Sequence, residues 1–163
     1  MITIRETTAE DLRDLRRLWC DGDVMKYIEL GGGPQDSDES MRAWLDRLNA
    51  EKPAADHYSV YEDGEYCGEA NYEIDKDNGS ATVHVGLFIS ARGRGIATKA
   101  IRFVIEKAFA NGAERIWVVP NYRNEKAVAL YERLGFVQKE MPEYVRAQGI
   151  DPAVHMYLEV SKA

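Results

Sequence analysis

The chain has 163 residues, of which 45% are hydrophobic and 30% are charged. This length and composition are typical of one globular domain over residues 1–163 and exclude a disordered or fibrous protein. The 28 acidic residues outnumber the 21 basic ones, giving a net charge of −7. That balance argues against nucleic acid as a partner and favours a cationic small molecule or a peptide amine.

The residues that most often bind metals are few and scattered. Cys20 and Cys67 are far apart, as are the three histidines, so we expect no metal site. The strand-like sequence directly after Met1 leaves no room for a signal sequence, and no apolar run approaches the length of a membrane span. We therefore expect a cytoplasmic protein with reduced thiols and no membrane association.

The first third of the chain predicts one strand and two helices. Residues 2–6 alternate like a strand, and an apolar face then repeats from Leu12 to Trp19. A glycine-rich stretch, Gly31-Gly32-Gly33-Pro34, interrupts the pattern. Beyond it, Asp36 and Glu39 have the spacing of a capping box at the start of a second helix.

The remaining elements follow from turns and periodicity. Asp63-Gly64 predicts a hairpin between two strands, and Asp77-Asn78-Gly79 predicts the turn to a fourth strand. The predicted strands lie at residues 57–62, 65–74, 81–90, 116–119, 136–139 and 155–160, and the later helices at residues 96–109 and 125–134.

A glycine-rich turn, Arg92-Gly93-Arg94-Gly95-Ile96-Ala97, joins the fourth strand to the third helix. Gly93 and Gly95 let the backbone bend sharply and approach a ligand closely. The first amides of the helix lack intrahelical partners and lie at the positive end of its dipole. The turn therefore predicts a binding site for an anion such as a phosphate.

Two common phosphate-binding motifs do not fit this turn. A P-loop requires Gly-Lys-Ser/Thr, which the chain does not contain. A dinucleotide-binding motif requires a third small residue where Thr98 stands, and an acidic residue at the end of the next strand, where Val119 stands.

A third motif matches better. Arg92, Gly95 and Ala97 fit the signature Arg/Gln-x-x-Gly-x-Gly/Ala, and the chain resembles the GNAT superfamily of acyl-CoA-dependent N-acetyltransferases that carry it. The segment from Asn124 to Phe136 resembles the second cofactor motif of the family. The resemblance covers essentially the whole chain and is nearest to the branch of ribosomal-protein amino-terminal and small-amine or antibiotic acetyltransferases.

The resemblance implies an α/β (α+β) fold. Its central sheet is mixed, mostly antiparallel and seven-stranded, it splays between the fourth and fifth strands, and about four helices pack on both faces. The implied reaction is direct attack of a primary amine of a small molecule or peptide on the thioester of acetyl-CoA. The alternative is a module that senses acyl-CoA without transferring the acyl group. Because dimers are common among relatives, the resemblance also allows a homodimer.

The same resemblance implies the residues that bind coenzyme A. An amide of the fourth strand would stabilise the oxyanion, with Gly86 marking a bulge that frees it. Asn124 is equally suited to capping the last helix. The implied coenzyme A contacts are Leu87, Phe88, Ile89, Arg92, Gly93, Arg94, Gly95, Ile96, Ala97, Thr98, Asn124, Ala127 and Tyr131.

Tyr131 is the implied acid for the leaving thiolate, because a phenol remains protonated at neutral pH. The sequence leaves the base open among Glu73, His84, Glu69 and a water relay. Recognition of the cationic acceptor is expected from Tyr27, Glu29 and Tyr144, with Glu143. The link Ile89-Ser90-Ala91 is shorter than in relatives, which predicts a tight turn before Arg92.

Overall fold

The computed structural model describes residues 1–26, 37–120, 123–138, 140 and 143, together with the backbone of residues 156–159. Within these residues the strands are β1 (Ile2–Glu6), β2 (Ala55–Glu62), β3 (Glu65–Asp75), β4 (Ser80–Leu87), β5 (Arg115–Val118), β6 (Val137–Gln138) and β7 (Met156–Glu159). The α-helices are α1 (Leu12–Trp19), α2 (Asp38–Glu51), α3 (Ile96–Ala110) and α4 (Glu125–Arg133).

The strands form one sheet in the order β1-β2-β3-β4-β5-β7-β6. Neighbouring strands are antiparallel except β4 and β5, which are parallel. The parallel step requires a crossover, and α3 supplies it by carrying the chain from the end of β4 back to the start of β5. The predicted fold, a mixed and mostly antiparallel seven-stranded sheet with four helices, is confirmed.

β4 and β5 part soon after they begin. β4 continues to Leu87, whereas β5 ends at Val118, so the second half of β4 has no β5 residue beside it. The predicted opening between the two strands is therefore present. Among the described residues, the pairs between the two strands are Ser80 with Arg115, Ala81 with Ile116, and Thr82 with Trp117.

The two faces of the sheet bury different clusters. On the α3 face, apolar residues of the central strands pack against α3, and Leu130 and Tyr131 of α4 belong to the same cluster. On the α1–α2 face, Trp19 and Met41 belong to a second cluster. Because side chains alternate along a strand, the polar residues between the apolar ones of β2, β3 and β4 point to the α1–α2 face. Those residues are His57, Ser59, Glu69, Asn71 and His84.

α2 starts one residue later than predicted. Ser37 has an extended backbone, and its hydroxyl accepts a hydrogen bond from the N–H of Ser40 at 3.0 Å. This is the geometry of an N-cap, in which the side chain satisfies an amide that has no intrahelical partner. The predicted cap at Asp36 is therefore wrong.

The hairpin between β2 and β3 follows its sequence signal. Asp63 (φ 51°) and Gly64 (φ 84°) both adopt the left-handed conformation that a two-residue hairpin turn requires. A bulge lies elsewhere in this strand pair, where the register shifts between Val60 and Tyr61 and leaves Cys67 as the extra residue.

Gly86 does not mark a bulge, so that prediction is wrong. The register of β3 with β4 is unbroken, and Gly86 lies opposite Glu69. The close approach of the two strands instead requires a glycine at position 68 of β3, because a Cβ on Gly68 would lie 2.0 Å from the carbonyl oxygen of Gly86.

β4 also ends earlier than predicted, at Leu87 rather than Ser90. Ile89–Ala91 forms a short 3-10 helix, in which the N–H of Ala91 donates to the carbonyl of Phe88 and that of Arg92 to the carbonyl of Ile89, each at 3.0 Å. This compact turn spans the short link between the strand and the glycine-rich turn.

None of the helices in the described part of the chain combines the length and the apolar character needed to cross a bilayer. Among the same residues, no group of three or more His, Cys, Asp or Glu side chains is arranged to hold a metal ion.

Candidate active site

The end of β4 borders the opening in the sheet. The N–H of Phe88 donates to the carbonyl of Cys67 on β3 at 3.0 Å, so this amide belongs to the β3–β4 ladder. Successive amides of a strand point to opposite edges, and the N–H of Leu87 therefore points away from β3 and into the opening. Of these two predicted amide donors, Leu87 is the one that faces the opening. Ile89 lies in the 3-10 helix.

The glycine-rich turn has the conformation that its sequence predicts. Gly93 (φ 83°) and Gly95 (φ 79°) are both left-handed, and a Cβ on either would meet no other atom within 4 Å. Gly95 directly precedes α3, and the N–H of Lys99 is the first to donate within the helix, to the carbonyl of Gly95. The amides before it belong to Ile96, Ala97 and Thr98.

No acidic residue occupies the first turn of α3. The turn therefore leaves open space in front of amides that have no intrahelical acceptor, at the positive end of the helix dipole. A phosphate group suits that arrangement.

Both arginines of the turn contact protein atoms. Nε and Nη2 of Arg92 donate to the carbonyl of Leu87 at 3.3 and 3.1 Å. Nε and Nη2 of Arg94 pair with the Glu62 carboxylate at 3.3 and 2.7 Å, and its Nη1 donates to the carbonyl of Ser90. The arginines thus brace the turn against β2 and β4. Pairing with a phosphate, the role the resemblance implies for them, would require these contacts to open.

Asn124 caps α4, one of the two roles considered for it. Its Oδ1 accepts a hydrogen bond from the N–H of Ala127 at 3.2 Å. Tyr131 lies two turns further along the helix, is 8% exposed and packs edge-on against Phe136 with ring centroids 5.2 Å apart. Burial raises the pKa of the Tyr131 phenol to about 12, so the phenol keeps its proton at neutral pH.

The α1–α2 face carries a buried carboxylate flanked by two imidazoles. Oε1 of Glu69 lies 3.4 Å from Nε2 of His84, and Oε2 lies 3.8 Å from Nε2 of His57. The indole N–H of Trp19 on α1 donates to Oε2 at 2.5 Å. His84 is the accessible member, with its side chain 35% exposed, whereas Glu69 and His57 are buried.

The charge of Glu69 is stabilised by these neighbours. Burial alone would raise its pKa, but the two imidazoles beside it, His57 and His84, outweigh burial and lower the pKa to about 2. A buried carboxylate with several N–H groups around it remains ionised at neutral pH. The ionised carboxylate of Glu69 can therefore orient the imidazole of His84.

This carboxylate should make unfolding depend on pH in acid. Its pKa in the fold is below the usual 4.5, so its stabilisation is complete above about pH 4.5 and is lost as the pH falls toward 2. A shift of this size corresponds to about 3 kcal/mol. We expect Glu69→Gln to lower the free energy of unfolding at neutral pH, with a difference from wild type that shrinks between those pH values. Urea denaturation at stepped pH measures it, and parallel curves would contradict the assignment.

The other candidate bases are placed differently. Glu73 lies across from Ala55 and Thr82 and borders a cavity of about 650 Å³ and an adjoining one of about 230 Å³. Glu73 pairs with Thr82, and His84 pairs with Asn71. On this face of the sheet the two pairs are neighbours along the strands. Gly86 lies beside the pair formed by His84 and Glu69, which we call the His84–Glu69 dyad, because a Cβ on Gly86 would be 3.3 Å from Nε2 of His84.

Some expected residues lie outside the described part of the chain, namely Tyr27, Glu29 and Tyr144; Glu143 is described only as exposed. Sequence reasoning did not identify Trp19 and His57 as parts of the site. One available signal was the alternation of polar residues at His57, Ser59, Glu69 and Asn71 in strands whose other face is apolar. Polar residues on a covered face of a sheet indicate a hydrogen-bonded network.

A sheet that opens between β4 and β5 and a left-handed glycine turn before α3 are typical of an acetyltransferase of the GNAT type. The family model described as the Acetyltransferase (GNAT) domain matches residues 1–137. The chain therefore belongs to the GNAT acetyltransferase family. Members of this family use acetyl-CoA, which confirms the predicted cofactor.

Among individual proteins, the chain is similar to the uncharacterized N-acetyltransferase p20 of Bacillus licheniformis, with 27% identity over 96% of this chain and 90% of that protein. The spermidine N-acetyltransferase of Vibrio cholerae, solved with CoA and spermine, has a similar fold, with a TM-score of 0.81 and 21% identity over 99% of this chain and 96% of that chain. Aminoglycoside acetyltransferase AAC(6')-Ib with coenzyme A has a TM-score of 0.74 and 20% identity over 98% of this chain and 95% of that chain.

Proposed function

We propose that the protein transfers the acetyl group of acetyl-CoA to a primary amine of a small molecule or peptide, as a member of the small-amine branch of its family. The observation that carries this proposal is the His84–Glu69 dyad. His84 lies on β4, the strand whose Leu87 amide points into the opening between β4 and β5, and Glu69 lies on the neighbouring β3. A base and an oxyanion donor on one strand are what acyl transfer to an amine requires.

His84 is the proposed base. Its Nε2 faces an ionised carboxylate, which favours the tautomer with the proton on Nε2 and leaves the lone pair on Nδ1. That nitrogen can accept a proton from an ammonium group. An alkylammonium with a pKa of about 10.4 is almost wholly protonated at neutral pH, so the reaction needs such an acceptor.

Tyr131 is the proposed acid. When bound, acetyl-CoA supplies an activated acetyl group whose leaving group is a thiolate. A thiol has a reference pKa of about 8.5, well below that of the buried Tyr131 phenol, which therefore still carries its proton. The Leu87 amide is preorganised by Arg92, which holds the carbonyl of the same residue.

The acceptor is proposed to be cationic. The larger of the two cavities is lined by more carboxylates than ammonium groups, namely Glu51, Glu73, Asp75 and Asp77 against Lys52 and Lys76. Acidic side chains around a cavity attract ammonium groups. The solved relatives named for spermidine and aminoglycosides act on compounds with several amines, which supports the same class here.

The test is incubation with acetyl-CoA and a panel of polyamines, aminoglycosides, lysine-containing peptides and peptides with free α-amines. Thiol release and acetylated product are both measured. We expect transfer to at least one class with equal amounts of thiol and product. Calorimetric binding of CoA with no product from any amine would instead favour an acyl-CoA sensor.

The glycine turn gives a test of cofactor binding with a matched control. Gly95→Ala places a side chain in the open space before α3, and we expect the Kd for CoA to rise at least about tenfold, since a left-handed alanine also costs about 1 kcal/mol. Gly64→Ala in the β2–β3 turn has the same backbone strain and the same empty surroundings. It should lower the melting temperature without changing the Kd. Equal CoA affinity in both variants would contradict the assigned phosphate site.

A further inference from the structure

A line of buried polar side chains leads to Glu69 from the side opposite His84. The hydroxyls of Ser59 and Thr7 are 2.8 Å apart, and the Thr7 hydroxyl is 2.7 Å from Nδ1 of His57. The backbone N–H of Thr7 also donates to the carbonyl of His57 at 2.9 Å. Nε2 of His57 then faces Glu69, so the line runs from Ser59 through Thr7 and His57 to the carboxylate.

The surroundings of His57 affect which of its ring nitrogens carries the proton. The ring is 3% exposed and lies edge-on to Trp44, with centroids 5.0 Å apart. Among the described residues, its Nε2 is one of two buried side-chain polar atoms without a hydrogen-bond partner. A buried ring nitrogen next to a carboxylate is stable when it carries a proton. Without the proton, its lone pair would be repelled by the anion.

The hydroxyl protons allow two arrangements, which differ in the ring nitrogen of His57 that carries the proton. Thr7 has a single hydroxyl proton to share between its two neighbours. If it donates to Nδ1 of His57, Ser59 donates to Thr7 and the imidazole proton lies on Nε2, facing Glu69. If Nδ1 were the donor, Nε2 would present its lone pair to the Glu69 anion. Electrostatics therefore selects the first arrangement.

We infer that His57 is a positioning residue, held in the Nε2–H tautomer by Thr7 at Nδ1 and by the Glu69 charge at Nε2, and that its N–H helps to keep Oε1 of Glu69 directed at Nε2 of His84. Trp19 donates to Oε2 of Glu69 and supports this rotamer. Glu69 in turn holds the proton of His84 on Nε2 and leaves Nδ1 free. The inference rests on the proposed function in one respect, that His84 is the base.

Nitrogen chemical shifts of the imidazoles test the tautomers without any turnover. Spectra of ¹⁵N-labelled protein at about pH 9, well above the usual pKa of imidazole, separate protonated from bare ring nitrogens. In wild type we expect His57 and His84 each to carry the proton on Nε2. In Thr7→Val, Nδ1 of His57 loses its hydrogen-bond donor while Glu69 still faces Nε2, so the Nε2–H fraction of His57 should fall below the wild-type value, and that of His84 should fall with it. A proton on Nδ1 of His57 in wild type would overturn the inference.

Kinetics of the same variants test the consequence. We expect Thr7→Val to lower kcat about tenfold with an unchanged KM for acetyl-CoA, a fraction of what general-base catalysis contributes. Thr7→Ser keeps the hydroxyl and should restore both kcat and the spectra. Tyr58→Phe, which removes a buried hydroxyl from the opposite face of β2, controls for loss of a buried hydrogen bond and should leave kcat unchanged.

The outcomes separate this inference from the proposed function. Wild-type turnover in Thr7→Val, or failure of Thr7→Ser to restore the spectra, would overturn the role of His57 while leaving the acetyltransferase intact. Absence of transfer by the wild type would refute the proposed function, whereas the imidazole spectra would still decide the tautomers.

Discussion

Replacing His84 with glutamine is expected to lower kcat at least about 100-fold, the usual contribution of a general base. Glutamine can still donate to Glu69 but has no group that accepts a proton at neutral pH. The Kd for acetyl-CoA, measured by calorimetry, should remain within about twofold of wild type, because His84 lies on the α1–α2 face and the phosphate turn does not. A loss confined to kcat would identify a residue used in the chemical step.

Glu73→Gln provides the discriminating comparison. The two candidates lie on the same face in neighbouring cross-strand rows, but only His84 contacts Glu69. We expect Glu73→Gln to keep kcat and to raise only the KM for a cationic acceptor, since Glu73 borders the acidic cavity. If Glu73→Gln lost kcat and His84→Gln did not, the base would be Glu73.

Replacing Tyr131 with phenylalanine is the second large expected effect. The ring is buried against Phe136 and the change removes only the hydroxyl, so folding should be preserved. We expect kcat to fall about 100-fold when the acceptor is a weakly acidic ammonium, with little change in the Kd for acetyl-CoA. Pre-steady-state measurement of thiol release reports the step at which the phenol acts.

Tyr72→Phe is the matched control, because it also removes a hydroxyl from a buried tyrosine on the α3 face, where that hydroxyl donates to the carbonyl of Pro53. The same hydroxyl also accepts from the side-chain amide of Asn111 at 3.1 Å. The variant should lower the melting temperature by a few degrees and leave kcat unchanged, in keeping with loss of about 1 kcal/mol for each of the two hydrogen bonds. Equal turnover in wild type and Tyr131→Phe would show that the leaving thiolate needs no proton from this phenol.

The parts of the fold that depend on local chemistry could be predicted from the sequence. Asp63-Gly64 specifies its hairpin because few other residue pairs adopt two consecutive left-handed conformations. The Gly95 turn is similarly local, since its conformation and the helix that follows are encoded within a few residues. The seven-stranded order was predictable only through the resemblance to a known family.

The dyad was harder to predict because it depends on the register of distant strands. Glu69 meets His84 since β3 and β4 pair without interruption, and it meets His57 through the neighbouring pairing of β2 with β3. Nothing near Glu69 in the sequence distinguishes it from Glu73. The predicted N-cap of α2 was wrong for a different reason. Asp36 and Ser37 are both good capping residues, and only the path of the chain decides between them.

The separation of the two faces of the sheet has a consequence for proton transfer. His84 lies on the α1–α2 face, and Tyr131 belongs to the cluster on the α3 face. Within the part of the chain that the structure describes, the sheet separates the two side chains, and the opening beside Leu87 lies between β4 and β5. In the proposed mechanism, a proton would therefore leave the acceptor on one face while another reaches the thiolate from the other face, and the two transfers would be linked through the reacting molecules.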